Sequence, residues 1–226
     1  MNKHLKDGFV LYLPKDIVAG DFYWMEVADT DTVIFAAADC TGHGVPGAMV
    51  SVVCNGALNR SVREYKLLEP ALILNKTREL VVETFETSEA DVKDGMDIAL
   101  CVLNLKLKML QYAGANNPLY VIRNGNLIEV KADKQPIGKN DNPTPFTNHQ
   151  IQLEPGDTIY VFTDGITDQF GGAKGKKFMH KALKELLISI QTMSMDDQKT
   201  IIENHFSSWK GSLEQVDDIC IIGVRV

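Results

Sequence analysis

Between Ile98 and Val130 the sequence strings together short apolar segments, Ile98 to Leu105, Met109 to Ala115, Leu119 to Arg123 and Leu127 to Val130, with only a few residues between neighbours. Parallel strands need a crossover of a dozen residues or more, so strands spaced this closely run antiparallel. Asn124-Gly125, between the last two, is a strong hairpin signal, because both residue types accept the positive φ angles of a two-residue turn. A doubly wound parallel sheet is therefore excluded, and helices have to be added before and after an antiparallel block.

The flanks supply them. Short strand-like segments open the chain, at Phe9 to Leu13, Phe22 to Val27 and Val33 to Ala38. A helix follows, with Pro46 in its first turn, where a missing N–H costs nothing, and runs to about Tyr65. Its first half is apolar all round (Met49, Val50, Val52, Val53, Cys54), which predicts burial. A second helix, Pro70 to Phe85, places Ile73, Leu74, Thr77, Leu80 and Val81 on one face. After the hairpin block come a strand, Thr158 to Thr163, and a helix whose apolar face is Phe178, Met179, Ala182, Leu183, Leu186, Leu187 and Ile190. Ser194 with Asp197 reads as a cap for a last helix ending at Gly211, and the strand Ile219 to Val226 closes the chain. The class is α+β.

The 226 residues suffice for one well-filled core and are read as one domain, 1–226. Hydrophobic residues at 45% and charged ones at 23% fit a globular chain, and the net charge of -7 argues against a general nucleic-acid binder. Cys40, Cys54, Cys101 and Cys220 show no metal-type spacing and read as buried free thiols. The N-terminus lacks an apolar signal core, and no stretch approaches the roughly 18 apolar residues of a membrane span. The expected location is the cytoplasm.

GHGVPG, residues 42 to 47, fits the G-x-G-x-x-G pattern, but a dinucleotide site needs a parallel strand after its helix, and here a second helix follows. What the glycines adjoin is Asp39, at the end of an apolar strand. Asp164 ends Tyr160-Val161-Phe162-Thr163 in the same way, Asp21 opens a strand in AGDFYWMEV, and Asp217-Asp218 open the last one. A single Asp-Gly is commonly just a turn, as Asp157 and Asp94 are read here. Four carboxylate sites at strand ends instead point to one sheet rim, where packed anions repel unless cations intervene, and oxygen ligands suit Mg²⁺ or Mn²⁺. Asp97 and Asp168 make weaker cases.

GDFYW, DCTGHGVPGAM, YAGANNPLYVIRNG, KADKQPIG, GDTIYVFTDGITDQFGG and QVDDICIIGV together resemble the bacterial branch of metal-dependent serine/threonine protein phosphatases, the stage II sporulation protein E (SpoIIE-like) domain of the type 2C superfamily. The resemblance runs from about Val10 to Val226. It implies a four-layer α-β-β-α sandwich, two antiparallel sheets flanked by helix pairs, with two Mn²⁺ or Mg²⁺ ions at one end and room for a third, for which Asp97 and Asp168 are candidates. It makes Asp21 and Asp39 metal ligands with Asp39 bridging, adds the backbone carbonyl of Cys40, and places Asp164 and Asp217 opposite, with Asp218 as the second choice of its pair. The implied reaction is attack of a hydroxide shared by the two ions on phosphoserine or phosphothreonine, with His43 or a water as proton donor to the leaving group. The implied substrate is a phosphorylated protein, such as an anti-sigma-factor antagonist. A homodimer and a sensory domain upstream in a longer parent protein belong to the same expectation; the alternative is a catalytically silent regulatory or binding module. Three positions depart from the pattern: Cys220 replaces a threonine, Ala19 a glycine, and Asp168 a glutamate. The basic, glycine-rich stretch Gln169 to Lys177 is read as a flap whose lysines attract the partner.

Overall fold

The computed structural model describes Leu5, residues 7–86 and residues 94–226. In chain order the elements are β1 (Gly8–Leu13), β2 (Phe22–Val27), β3 (Thr32–Cys40), α1 (Gly44–Arg63), α2 (Pro70–Glu86), β4 (Met96–Asn104), β5 (Met109–Ala115), β6 (Leu119–Arg123), β7 (Asn126–Val130) and β8 (His149–Gln152). There follow β9 (Thr158–Phe162), the single turn α3 (Gly165–Asp168), β10 (Phe170–Gly171), β11 (Lys176–Lys177), α4 (Met179–Ile190), α5 (Met195–Lys210) and β12 (Ile219–Arg225). Two five-stranded sheets, ordered β1-β12-β9-β6-β7 and β2-β3-β4-β5-β8, are antiparallel in every named pairing. Asn124 and Gly125 carry φ values of 49° and 76° in the β6–β7 turn, as a two-residue hairpin requires.

Strand alternation builds the layers. On β3, Val33, Phe35 and Ala37 enter the core between the sheets with Cys101, Tyr112, Val161 and Ile222. Ile34, Ala36 and Ala38 point the other way and pack with Leu58, Ile73 and Leu74 of α1 and α2. On the outer face of the first sheet, Tyr120 and Phe162 meet Leu183, Leu187, Ile202 and Phe206 of α4 and α5. This is the expected α-β-β-α sandwich. The four cysteines are free and buried. No helix among the described residues is long and apolar enough to cross a membrane.

Two local expectations give way, and one strand carries no sequence signal. The first half of α1 is not buried all round: Val45, Met49 and Val52 are 68%, 67% and 69% exposed, because the helix needs only one stripe, Val50, Cys54, Ala57 and Leu58, to cover the sheet. Met179 opens α4 at φ 70° and turns outward instead of joining the apolar face. β8 gave no signal because His149-Gln150-Ile151-Gln152 offers a single apolar residue, as a sheet-edge strand bonded only to β5 can. In urea unfolding, Leu58→Ala is expected to cost about 2–5 kcal/mol and Val52→Ser to stay within about 0.5 kcal/mol; equal costs would contradict this division of α1 into a packed and a free face.

Candidate metal centre

Parity along two strands aims two carboxylates at the same place. Asp39 continues the Val33, Phe35, Ala37 face of β3, and Asp97 continues the Leu103, Cys101, Ala99 face of β4, and the two are register partners. Both therefore look into the space between the sheets where β3 and β4 end. From the opposite sheet, β9 runs out into Thr163-Asp164 while β12 starts after Asp217-Asp218, and the Ile221–Phe162 pairing holds those two ends together. Asp21 precedes Phe22, which pairs with Ala38 beside Asp39. A cavity of about 240 Å³ results, with Asp39, Cys40, Thr41, Asp97, Asp164 and Asp217 in its wall.

The electrostatics of this end are unfavourable as they stand. Burial, then the charges of Asp21, Asp164 and Asp217, push the Asp39 carboxyl far above the usual carboxylate range. Burial also raises Asp21, and Asp218 and Asp217 add to it, against hydrogen bonds from Thr163 and Asp39. Asp97 is raised by burial even though its Oδ1 accepts from Asn116 Nδ2 at 2.8 Å. Oδ2 of Asp21 is buried with no hydrogen-bond partner, in a residue only 3% exposed. An orphaned buried acceptor among crowded carboxyls is where positive charge belongs, and an all-oxygen set suits hard divalent ions. Among the described residues no three acidic, histidine or cysteine side chains are arranged to clasp an ion by themselves. The site is an open acidic cavity, and a hard ion held there would draw part of its coordination from backbone oxygens and water, as Mg²⁺ commonly does.

The glycines of GHGVPG shape this corner. The carbonyl oxygen of Gly42 is wedged between Gly20 and Gly47, and a Cβ on either would collide with it. The Asp21 loop, the Asp39 turn and the start of α1 can thus lie against one another. Gly165, after Asp164, is likewise pressed on the carbonyl of Asp218.

Asp217 and Asp218, adjacent in the sequence, differ in space. Asp218 is 1% exposed, and its two oxygens accept the backbone N–H groups of Lys15 (2.7 Å) and Gly20 (2.8 Å), closing the loop that leads to Asp21. Asp217 lines the cavity. The Cys40 side chain turns into the α1 core beside Cys54, so only its backbone is available to the cavity. Cys220 is sealed between the sheets. Asp168 is held by Lys177 at 2.8 Å and is absent from the cavity wall. Sequence reading missed Lys15 and Asp16, which grip His43 from both sides: His43 Nδ1 lies 3.0 Å from Asp16 Oδ2, and Nε2 lies 3.1 Å from Lys15 Nζ. Since the Lys15 ammonium can only donate, Nε2 accepts, and the ring N–H sits at Nδ1, facing Asp16. No local motif marks that pair; it depends on a loop meeting a turn 27 residues further on.

Asp21 and Asp39 hold protons more tightly here than in an unfolded chain, so their contribution to stability is full below the ordinary carboxylate range and is lost as pH climbs through their raised values. Metal-free protein is expected to lose thermal stability between about pH 5 and about pH 9, with saturating Mn²⁺ abolishing that slope. A flat or rising Tm in EDTA across that range would contradict the crowding of these groups.

The family described as Stage II sporulation protein E (SpoIIE) matches residues 29–226. Phosphoserine phosphatase RsbU of Bacillus subtilis (strain 168) is 26% identical over 163 residues, which make up 69% of this chain and 45% of RsbU, so the match spans under half of that relative. The SiaA-PP2C domain of Pseudomonas aeruginosa superposes with a TM-score of 0.88 at 29% identity, over 97% of this chain and 85% of that one. The PP2C phosphatase domain of SpoIIE from Bacillus subtilis, solved with a fragment of its regulatory domain, has the same fold at a TM-score of 0.78 and 17% identity, over 97% and 63% of the two chains. With this match over residues 29–226 and the shared α-β-β-α fold, the chain belongs to the SpoIIE family and has the fold of PP2C domains.

Proposed function

We propose that the chain is a metal-dependent protein serine/threonine phosphatase of bacterial cytoplasmic signalling. The observation that carries this reading is the convergence of Asp21, Asp39, Asp164 and Asp217 from both sheets on one end of the sandwich, with a buried carboxylate oxygen left unpartnered. Asp39, within reach of Asp21 on one side and Asp164 on the other, would be the ligand shared by two ions. Asp21 and the Cys40 carbonyl would hold one ion, and Asp164 and Asp217 the other. Asp97 is the better candidate for a third ion, because Lys177 occupies Asp168. When bound, two Mn²⁺ or Mg²⁺ ions supply an activated water at neutral pH and neutralise charge on the phosphoryl oxygens.

The chain's own charges make those ions necessary for binding as well as for chemistry. A protein of net charge -7 with a carboxylate-lined cavity repels a phosphate dianion. Lys174 and Lys176 are exposed on the 170–177 hairpin, whose Lys177 reaches Asp168 and acts on Asp164, and they offer attraction to a phosphorylated partner. RsbU is by name a phosphoserine phosphatase, which favours a phosphoprotein substrate; an anti-sigma-factor antagonist fits that class. His43 acts as a brace: with both ring nitrogens engaged, it ties the Lys15–Gly20 loop to the start of α1.

Hydrolysis of p-nitrophenyl phosphate is expected to require Mn²⁺, to stop in EDTA, and to fall at least about 100-fold in Asp39→Asn and Asp164→Asn. Metal-independent turnover would contradict the proposal, and tight Mn²⁺ binding without turnover would favour a silent binding module. His43→Gln should retain activity within about tenfold; a drop of about 10² to 10⁴ would mark it as the general acid instead.

A further inference from the structure

We propose that Gln169 is a positioning residue whose buried amide fastens the 170–177 hairpin to the loop carrying Asp217, so that ion holding by the carboxylates and order in the hairpin are linked. This rests on the reading of the cavity as a divalent-ion centre. Gln169 is wholly buried and polar, which is tolerable only because its groups are matched. Its Oε1 accepts the N–H of Val216 at 3.1 Å, and its Nε2 donates to the carbonyls of Glu214 at 2.9 Å and Phe170 at 3.0 Å. Its own carbonyl accepts from Phe178 N at 2.9 Å and from the indole Nε1 of Trp209 at 3.1 Å.

These bonds join three functional pieces. Gln169 ends the single helical turn that begins after Asp164. It starts the hairpin of β10 and β11. Through Val216 it grips the residue next to Asp217. The opposite side of the same residue is held by Lys15, whose Nζ donates to Val216 O at 2.9 Å, so Val216 is clamped at both its N–H and its carbonyl. The Asp217 carboxylate adds a bond of its own, its Oδ1 accepting the N–H of Asp218 at 2.8 Å, so the backbone around Asp217 is tied both through Val216 and through the carboxylate. The hairpin, by contrast, has two-residue strands and few other anchors: the Gly172 N–H on Trp209 O at 2.8 Å, and the Lys177–Asp168 ion pair at 2.8 Å. Cations that fix Asp217 therefore restrain Val216, and Gln169 passes that restraint to the hairpin; by reciprocity, an ordered hairpin favours ion binding.

Limited trypsin digestion of the full chain at Lys174 and Lys176, with and without Mn²⁺, reads this coupling without reference to turnover, and calorimetry reports Mn²⁺ binding separately. In the wild type, Mn²⁺ is expected to slow cleavage at these two sites by at least about fivefold. Gln169→Met, which keeps the volume and loses the amide, should be cleaved at the metal-free rate with or without Mn²⁺ and bind Mn²⁺ about tenfold more weakly. Trp209→Phe, which removes the indole N–H bond to the Gln169 carbonyl and trims the ring packed on Gly172 while leaving the three bonds of the Gln169 amide in place, should keep the Mn²⁺ protection. Mn²⁺ protection in Gln169→Met equal to that of the wild type would overturn the proposal. Should that variant fail to fold, wild-type protein that binds Mn²⁺ with no change in hairpin cleavage would overturn it equally. Absence of Mn²⁺ binding in the wild type would instead sink the metal-centre reading and this inference with it.

Discussion

Repulsion among Asp21, Asp39, Asp164 and Asp217 is the constraint around which the rest of the molecule is arranged. Two unit charges at about 5 Å in an effective dielectric of about 20 repel by about 3 kcal/mol, and a domain's whole stability is only about 5–15 kcal/mol. Several such pairs cannot remain ionised together without neutralisation. Protons and divalent cations are the two available sources: the crowding that raises the Asp21 and Asp39 carboxyls favours the first wherever the second is lacking, and the orphaned Asp21 oxygen can accept either. The same crowding makes the site fit for the second.

Holding charges in that position takes strong scaffolding nearby. The two sheets present Asp39 and Asp164 from strands whose remaining residues fill the core. Asp218 gives both its oxygens to the backbone of the loop that leads to Asp21, and thus acts as a local fastener. Gly20, Gly42 and Gly47 let three backbone segments meet where side chains would keep them apart. Lys15 touches His43, the Val216 carbonyl and, through its own N–H, Asp218, which joins the first loop to the last strand. The acidic cavity is therefore anchored by uncharged backbone groups and a few ion pairs set back from it.

The parts legible in the sequence were those governed by short-range rules. Alternation and hairpin chemistry gave the antiparallel sheets, and helical periodicity gave α2 and α5; Ser194 caps α5 as read, accepting from Asp197 N at 3.1 Å. Aspartates at strand ends pointed to a shared rim because a strand's end is also a sheet's edge. What the sequence hid depended on distant partners. Apolar composition in α1 could not tell which stripe packs, so Met49 and Val52 were read as buried and are exposed. The family resemblance favours Asp217 over the adjacent Asp218, but the reason, that the N–H groups of Lys15 and Gly20 occupy the latter, lies in distant partners. The buried role of Gln169, inside a stretch read as a mobile flap, was equally invisible to composition.

The central claim is that this cluster is held against its own repulsion in readiness for cations, and its most direct test is the thermal stability of wild type and Asp39→Asn at one alkaline pH, each in EDTA and in saturating Mn²⁺. The account predicts a crossover: the variant melts higher than the wild type in EDTA, because one of the crowded charges is gone, and lower in Mn²⁺, because its metal-linked gain is lost. A variant that melts lower in EDTA, or that gains as much from Mn²⁺ as the wild type does, would contradict it.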